Sequence, residues 1–277
     1  MLAAPRRSTW PCMMRFFPFL RGGPVVGVIR LQGMISGGGR GAALNDAGLA
    51  PLVEKAFRKG KPKAVALVIN SPGGSPTQSS LIAARIRRLS EEKKIPVHAF
   101  VEDVAASGGY WLACAADDIW VDRNSIVGSI GVISATFGLN EFIGRHGIER
   151  RVYTAGKSKS MLDPFQPEKA ADVKRLKELQ GVIHDGFIDY VKSRRGARLT
   201  EEDLYDGTIW VGPQAIEKGL VDGVGHIVPE MKKRYGDKVR FVVHQQRKPL
   251  LGRIGMRLAG DALAEIEERA GFARFGL

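Results

Sequence analysis

Apolar runs of strand length take turns with helix-periodic segments along the first half of the chain. The strand-like runs are residues 25–31, 64–70 and 96–101, and the segments with apolar residues at helical spacing are 51–58, 80–89 and 110–116. Strands and helices that alternate in this way are typical of an α/β layer in which crossover helices join the strands. We therefore predict an α/β fold.

The second half of the chain carries longer and weaker patterns. Short strands are predicted at 119–121 and 130–133, followed by a long amphipathic helix from Pro167 whose apolar positions include Ile183 and Phe187. We expect Arg194-Arg195-Gly196 to close that helix, a short helix to open at 200–203, and an amphipathic segment at 251–266. No internal repeat or low-complexity linker occurs, which favours a single domain. The predicted division is a poorly ordered extension at 1–23, one domain at 24–225 and a basic tail at 226–277.

The chain is basic, with 42 Lys and Arg against 29 Asp and Glu and a formal net charge of +13. An excess of positive charge of this size favours binding to anionic surfaces. A solvated basic exterior is the simpler interpretation, and the sharper one is peripheral contact with an anionic membrane. Nucleic acid is not expected as a partner, because no zinc finger, aromatic ribonucleoprotein signature or base-reading basic helix occurs.

No apolar run approaches the ~18 residues of a membrane span. Residues 16–20 are apolar, but a proline interrupts them and Arg15 and Arg21 flank them, so they do not make a convincing signal peptide. We expect a cytoplasmic or peripherally membrane-associated protein. The two cysteines, Cys12 and Cys114, encode neither a disulfide framework nor a zinc cluster, and no metal or cofactor is expected.

Two predicted turns carry candidate chemistry. Ser107 lies between Ala106 and Gly108 at the expected start of an apolar helix, which makes its hydroxyl a candidate nucleophile. The strand at 64–70 runs into a loop that contains Gly73 and Gly74, just before a second expected helix start. Backbone N–H groups of this loop and of Gly108 can receive a negative oxygen. Taken without any family, a tight packing turn explains each glycine pair about as well.

A serine hydroxyl needs a base, and the histidines offer little help. None of them sits in a metal-binding pair, and each is better interpreted as a surface or packing residue: His98, His146, His184, His226 and His244. Lysine serves as the base in some serine hydrolases when a dry setting lowers its pKa. Lys159 is the candidate, with Lys157 as a rival, although a lone lysine in a polar loop is usually just solvated.

With these residues, the chain resembles the signal peptide peptidase A family, which are serine peptidases of the Clp protease and crotonase superfold. Five ordered blocks between about residues 25 and 225 carry the resemblance: Asn70-Ser71-Pro72-Gly73-Gly74, Ala105-Ala106-Ser107-Gly108-Gly109-Tyr110, Gly128-Ser129-Ile130-Gly131, Lys159-Ser160 with Asp163-Pro164-Phe165, and Gly207 through Asp222. Any one block alone is weak, but five in order are specific.

The resemblance implies a fold of repeated ββα units with crossover helices and an activity as a serine endopeptidase. It implies that Ser107 is the nucleophile, that Lys159 is its base and that Ser129 orients the lysine. The oxyanion hole is implied at Gly73, Gly74 and Gly108. It further implies hydrolysis of hydrophobic peptides, such as signal peptide remnants, by copies assembled into a ring, without a cofactor.

Two departures and two alternatives accompany this interpretation. We expect a chain of the short kind, without the amino-terminal span that many relatives carry, and soluble peptide segments then become candidate substrates. The same superfold hosts crotonases, which use an equivalent oxyanion hole on acyl-coenzyme A and need no serine. A ring scaffold for membrane-protein quality control, without catalysis, is the second alternative.

Overall fold

A computed structural model describes residues 22–37, 43–156, 158–200, 204–246 and 269–277. The first half of the chain forms β1 (Val25–Gln32), α1 (Asp46–Ala56), β2 (Ala64–Ser71), α2 (Pro76–Lys93), β3 (Val97–Ala106), α3 (Gly108–Ala113) and β4 (Asp118–Val121). The rest forms β5 (Ile126–Gly128), α4 (Asn140–Arg145), α5 (Ala170–Arg195), β6 (Ile209–Val211), α6 (Gly212–Glu217), β7 (Gly223–Val224), α7 (Ile227–Tyr235) and β8 (Arg240–His244).

The described strands form one sheet in the order β6-β5-β3-β2-β1-β8, with β4 also beside β3 and β7 beside β4. Every pairing is parallel except that of β5 with β6. The long β3 pairs with β4 along its first half and with β5 at its end. The α/β fold with crossover helices is thus confirmed.

Burial on both faces of the central strands explains why they form. All eight positions of β2 are buried, as expected for a parallel strand covered on both sides. One core cluster joins one face of the sheet to α1, α2 and α3, while a smaller cluster on the other face includes Met231 of α7.

The start of α2 fixes the loop before it. Ser75 caps the helix, with its hydroxyl accepting from the Gln78 amide at 3.4 Å, and Pro76 occupies the first helical position. The Gln78 side chain accepts from the Asp46 amide instead of reaching back to Ser75. Asp46 also pairs with Arg85 at 2.7 Å, which ties α1 to α2.

Some predicted elements differ from the structure. The strand expected at 130–133 is instead β5, Ile126–Gly128, because the backbone at Gly128 and Ser129 turns into the positive-φ region and ends the strand. The helix expected from Pro167 begins at Ala170, and α1 begins at Asp46 rather than at 51.

The tail predicted from residue 226 is also shorter than expected. It contains α7 and β8, and β8 pairs with β1 inside the main sheet, so the domain continues to His244. Residues 1–21, most of the helix start at 200–203 and the amphipathic segment at 251–266 lie outside the described residues. Within the described residues, no helix has the length and apolar character needed to cross a bilayer.

Candidate active site

Three neighbouring strands end at the site. β2, β3 and β5 run parallel, with Ser71 opposite Ala105 and Ala106 opposite Gly128. Their carboxyl ends therefore meet at one edge of the sheet, where ligands bind in open α/β sheets. The Gly73-Gly74 loop, Ser107 and Ser129 each follow one of these ends.

Ser107 sits in a strained turn between β3 and α3. Its backbone has φ 51° and ψ −120°, a conformation that residues other than glycine rarely adopt. The Ser107 amide donates to the Gly128 carbonyl at 2.8 Å, and its carbonyl accepts from the Trp111 amide at 3.0 Å. These bonds hold the residue in place while its side chain remains half-buried.

The Gly73-Gly74 loop packs directly on this turn. Gly73 has φ 104°, and a Cβ placed on it would lie 2.9 Å from both the Ser107 Cβ and the Gly108 nitrogen. A Cβ on Gly74, at φ 138°, would overlap the carbonyl oxygen of Ile35. Only glycines allow this approach, since both positions combine positive φ with no free space.

Two of the three glycine amides remain available as donors. The Gly73 amide donates to the Ser71 hydroxyl at 3.3 Å. Among the described residues, the amides of Gly74 and Gly108 have no acceptor, and both residues line the cavity beside Ser107. The arrangement places a serine hydroxyl and two N–H groups without acceptors at one cavity, and N–H groups of this kind can stabilise a negative oxygen.

The cavity beside Ser107 has a mostly apolar wall. Its lining residues are Gly74, Pro76, Ser107, Gly108, Trp111, Gly131, Val132, Ile183 and Phe187. Trp111 stacks on Phe187 with 4.6 Å between the ring centroids, so α5 supplies one wall. The sequence assigned Ile183 and Phe187 only to the apolar side of an amphipathic helix, since helical periodicity carries no information about which cavity that side borders.

Ser129 lies beside Ser107 at the end of β5. Its backbone has φ 51°, and its amide donates to the Thr208 carbonyl at 2.7 Å. The next residue, Ile130, accepts a hydrogen bond of 3.1 Å from His184 Nε2, which must donate because a carbonyl can only accept. His184 therefore helps to hold the segment that follows Ser129, a role that sequence alone gave no signal for.

Lys159 is not placed beside Ser107 within the single chain. Its side chain is exposed, it does not line the cavity, and its amide donates to the Gly156 carbonyl at 3.2 Å. Neither the lysine amine nor the two serine hydroxyls has a hydrogen-bond partner among the described residues. Lys157 lies outside the described residues.

Lys159 belongs to an arm, residues 132–168, that folds largely on itself. The Leu139 amide donates to the Pro164 carbonyl at 2.6 Å, and Arg150 pairs with Asp163 at 3.3 Å. The arm and the adjoining face of α5 leave large apolar side chains in solvent: Ile133, Phe137, Phe142, Ile148, Tyr153, Phe165, Leu179, Val182 and Ile183.

Other nucleophiles and metal sites find no support in the described part of the chain. Burial raises the pKa of the Cys114 thiol to about 12, so this residue stays protonated and inert. No group of three or more His, Cys, Asp or Glu side chains among the described residues has metal-binding geometry.

Comparison with known proteins shows the family of the chain. The model of peptidase family S49 matches residues 90–234, just over half of the chain and the part that contains Ser107, Ser129 and Lys159. The chain belongs to peptidase family S49. The chain is 32% identical over 165 residues to a putative signal peptide peptidase of Enterococcus faecium. The alignment covers 59% of this chain and 48% of that protein.

A second relative matches far more of the S49 chain. It is named Na(+)/H(+) antiporter NhaA of Brucella melitensis and is 49% identical over 269 residues, which cover 90% of this chain and 36% of the relative. The chain thus spans about a third to a half of the length of these curated relatives.

A solved structure shares the fold of the S49 chain. It is a lysine-to-alanine mutant of the 1510-N membrane-bound stomatin-specific protease in complex with a substrate peptide. The TM-score is 0.51 at 16% identity, covering 84% of this chain and 96% of the other.

Proposed function

We propose that the chain is a serine endopeptidase whose nucleophile is Ser107. The observation that carries this proposal is the strained, half-buried Ser107 hydroxyl beside the unpaired amides of Gly74 and Gly108. Membership of peptidase family S49 supports the same reaction class.

The proposed reaction passes through an acyl-enzyme. The Ser107 Oγ attacks the carbonyl carbon of the scissile peptide bond as its proton moves to Lys159 Nζ. Gly108 and the Gly73-Gly74 loop stabilise the oxyanion, and the structure favours the Gly74 amide within that loop because Gly73 already donates to Ser71. Protonated Lys159 then gives its proton to the leaving amine, and water hydrolyses the ester.

Ser129 is proposed to hold the lysine amine by a hydrogen bond. Its position at the carboxyl end of β5, next to the β3 end that precedes Ser107, supports this role. The hydrogen bond from the Ser107 amide to the Gly128 carbonyl links the two turns directly.

The substrates are proposed to be peptides with apolar side chains, such as signal peptide remnants. Trp111, Val132 and Phe187 give the cavity beside Ser107 an apolar wall. An apolar side chain of the substrate can pack on this wall without leaving a polar group unpaired. No carboxylate lines the cavity among the described residues, which disfavours the crotonase alternative because crotonases generally place a carboxylate over the thioester.

The active form is proposed to be a ring of identical copies in which the arm of one copy reaches the next. Tyr153 and Phe137 of the arm are 90% and 82% exposed, and Val182 on α5 is 73% exposed. Apolar faces of this extent mark interaction surfaces. Because Lys159 lies on the same arm, assembly would bring it to the Ser107 of a neighbouring copy.

The proposal is tested by labelling the folded protein with a serine-directed fluorophosphonate and by measuring cleavage of an apolar peptide library. Ser107→Ala should abolish labelling and lower kcat/KM by a factor of about 10³ or more, and Lys159→Ala should do so nearly as strongly. Ser193→Ala and Lys177→Ala are matched controls outside the site and should behave like the wild type.

Two outcomes would overturn the proposal. A wild-type protein that neither reacts with the probe nor cleaves peptides as an assembled oligomer would support a scaffold. Undiminished hydratase turnover on an acyl-coenzyme A substrate by the Ser107→Ala variant would support a crotonase.

A further inference from the structure

The cavity beside Ser107 is placed to receive one particular side chain of a peptide. Ser107, Gly74 and Gly108 line it together, so it borders both the proposed nucleophile and the two amides proposed to stabilise the oxyanion. A carbonyl carbon attacked by the Ser107 Oγ has its oxygen beside those amides. The side chain of the residue that carries this carbonyl begins only two bonds away from it. The residue before the scissile bond is therefore the one whose side chain meets the cavity.

The cavity is small. Its volume is about 10 Å³, which is about the room that one water molecule needs. The methyl group of alanine is of similar size, whereas the side chains of leucine and phenylalanine are several times larger. A long side chain must therefore push back the wall of the cavity or stay outside it.

Two rings from α5 hold Trp111, which forms part of the cavity wall. The Trp111 ring stacks on Phe187 with 4.6 Å between centroids and on Tyr190 with 5.3 Å, at interplanar angles of 15° and 20°. Trp111 is 8% exposed and Phe187 is 2% exposed. Because protein interiors are closely packed, neither ring can shift without displacing its neighbours. This part of the wall therefore does not widen to admit a larger side chain.

Two aliphatic residues of the wall are packed less tightly. Ile183 is 40% exposed on α5, and Val132 is half-buried at the start of the arm. In the proposed ring, a neighbouring copy covers the arm and this face of α5. The neighbour then adds atoms to this side of the cavity and leaves no more room in it.

Given the proposed peptidase function, on which this step rests, we propose that Trp111 and Phe187 restrict the residue before the scissile bond to a small side chain, with alanine preferred. A larger side chain displaces one of the stacked rings or turns its own carbonyl away from the Gly74 and Gly108 amides, and both changes lower the rate. Alanine ranks above glycine because its methyl group buries apolar surface in the cavity.

Matched peptides that differ only in the residue before the scissile bond test this inference on the full chain. The wild type should cleave after alanine with a kcat/KM at least about tenfold higher than after leucine or phenylalanine, the discrimination that excess methylene groups produce in an apolar pocket. Phe187→Leu removes one stacked ring and should lower the ratio of alanine to leucine cleavage by about threefold or more. This ratio compares two substrates of one preparation, so it does not depend on how much of a variant is folded.

Ile183→Ala widens the cavity from its exposed side and decides the matter where Phe187→Leu does not fold. Its ratio should also fall by about threefold or more. Leu179→Ala is the matched control, since Leu179 lies one turn away on α5, is also 40% exposed and does not line the cavity. Both substitutions remove the same number of atoms from the apolar face that the ring would cover, so a difference in the ratio reports on the cavity alone. Leu179→Ala should keep the wild-type ratio.

Equal cleavage after alanine, leucine and phenylalanine by a protein that reacts with the fluorophosphonate would overturn the size limit alone. A limit found at the residue after the scissile bond, an unchanged ratio in folded Phe187→Leu, or equal ratios for Ile183→Ala and Leu179→Ala would do the same. Failure of the assembled wild type both to label and to cleave any of the peptides would overturn the proposed function, and the size limit with it.

Discussion

The candidate site depends on two glycines that no other residue can replace without moving the backbone. Gly74 combines φ 138° with a Cβ direction that points into the Ile35 carbonyl. The Ile35 carbonyl also accepts from the Ser75 amide at 2.8 Å, so the contact belongs to the hydrogen bonds that shape the loop. A side chain at Gly74 must therefore displace the amide proposed to stabilise the oxyanion.

Gly74→Ala should lower kcat by about 10²-fold or more with a smaller effect on KM, because an oxyanion-hole donor acts mainly in the transition state. The measurement is steady-state cleavage of a peptide substrate, together with thermal unfolding to show that the variant is folded. A change in KM alone would contradict the role of the Gly74 amide.

Gly181→Ala is the corresponding control. Gly181 lies inside α5, and a Cβ there meets nothing within 4 Å. Alanine in an open helix position stabilises by roughly 0.5–1 kcal/mol relative to glycine, so this variant should unfold at a slightly higher temperature and keep its activity.

The sequence predicted the candidate residues of the site better than it predicted the residues packed around them. Ser107 and the Gly73-Gly74 loop follow buried strands, so local pattern makes them candidates, and the ordered blocks of the family resemblance select them over plain packing turns. Trp111 and Phe187 come together only through packing of α3 on α5, and no spacing along the chain encodes their 4.6 Å stacking. The short β5 was misplaced because its apolar residues continue past Gly128, and only the backbone conformation at Ser129 marks its end.

At the scale of elements, a partly buried polar network fixes α7 to the sheet. His98 at the start of β3 is buried and donates from Nδ1 to Asp118 at 3.0 Å, while its Nε2 contacts the Tyr235 hydroxyl at 3.0 Å. Arg234 of α7 pairs with Asp118 at 2.7 Å. Burial by itself would raise the pKa of Asp118, but the hydrogen bond and charge of His98, with the charge of Arg234, lower it below its ordinary value.

Asp118→Asn should destabilise the protein by about 2 kcal/mol at pH 7, because the substitution removes the negative charge beside Arg234 and replaces one of two acceptor oxygens with a group that can only donate. The pKa of Asp118 is depressed in the folded state, so its stabilisation is present above the ordinary value of 3.8 and is lost as pH falls through the folded pKa. The difference between wild type and variant, measured by urea unfolding from pH 7 to pH 3, should therefore shrink toward acid.

A pH-independent difference would show that packing, not the carboxylate charge, accounts for the effect. Asp237→Asn supplies the comparison, since Asp237 is exposed in the turn before β8. That substitution should change the free energy of unfolding by less than about 0.5 kcal/mol at any pH in the range.

At the scale of the whole molecule, the single chain leaves its proposed base and an extended apolar surface together in solvent. The arm that carries Lys159 also exposes Phe137 and Tyr153, and α5 presents Val182 and Ile183 beside it. Assembly through this surface would bury it and would bring Lys159 of one copy to Ser107 of the next. Each site would then combine Ser107 of one copy with Lys159 of another, as the heterologous contacts of a ring allow.

Co-expression of the Ser107→Ala and Lys159→Ala chains distinguishes this arrangement from a site completed within one copy. In randomly mixed rings about one interface in four joins an intact serine to an intact lysine, so activity should recover to about a quarter of the wild-type value. Native mass spectrometry establishes that mixed rings form. Co-expression of the Ser107→Ala chain with a chain that carries both Ser107→Ala and Lys159→Ala should recover no activity. Mixed rings without recovered activity would place both residues of a working site in the same copy. In that arrangement every copy lacks either Ser107 or Lys159, so no site is intact.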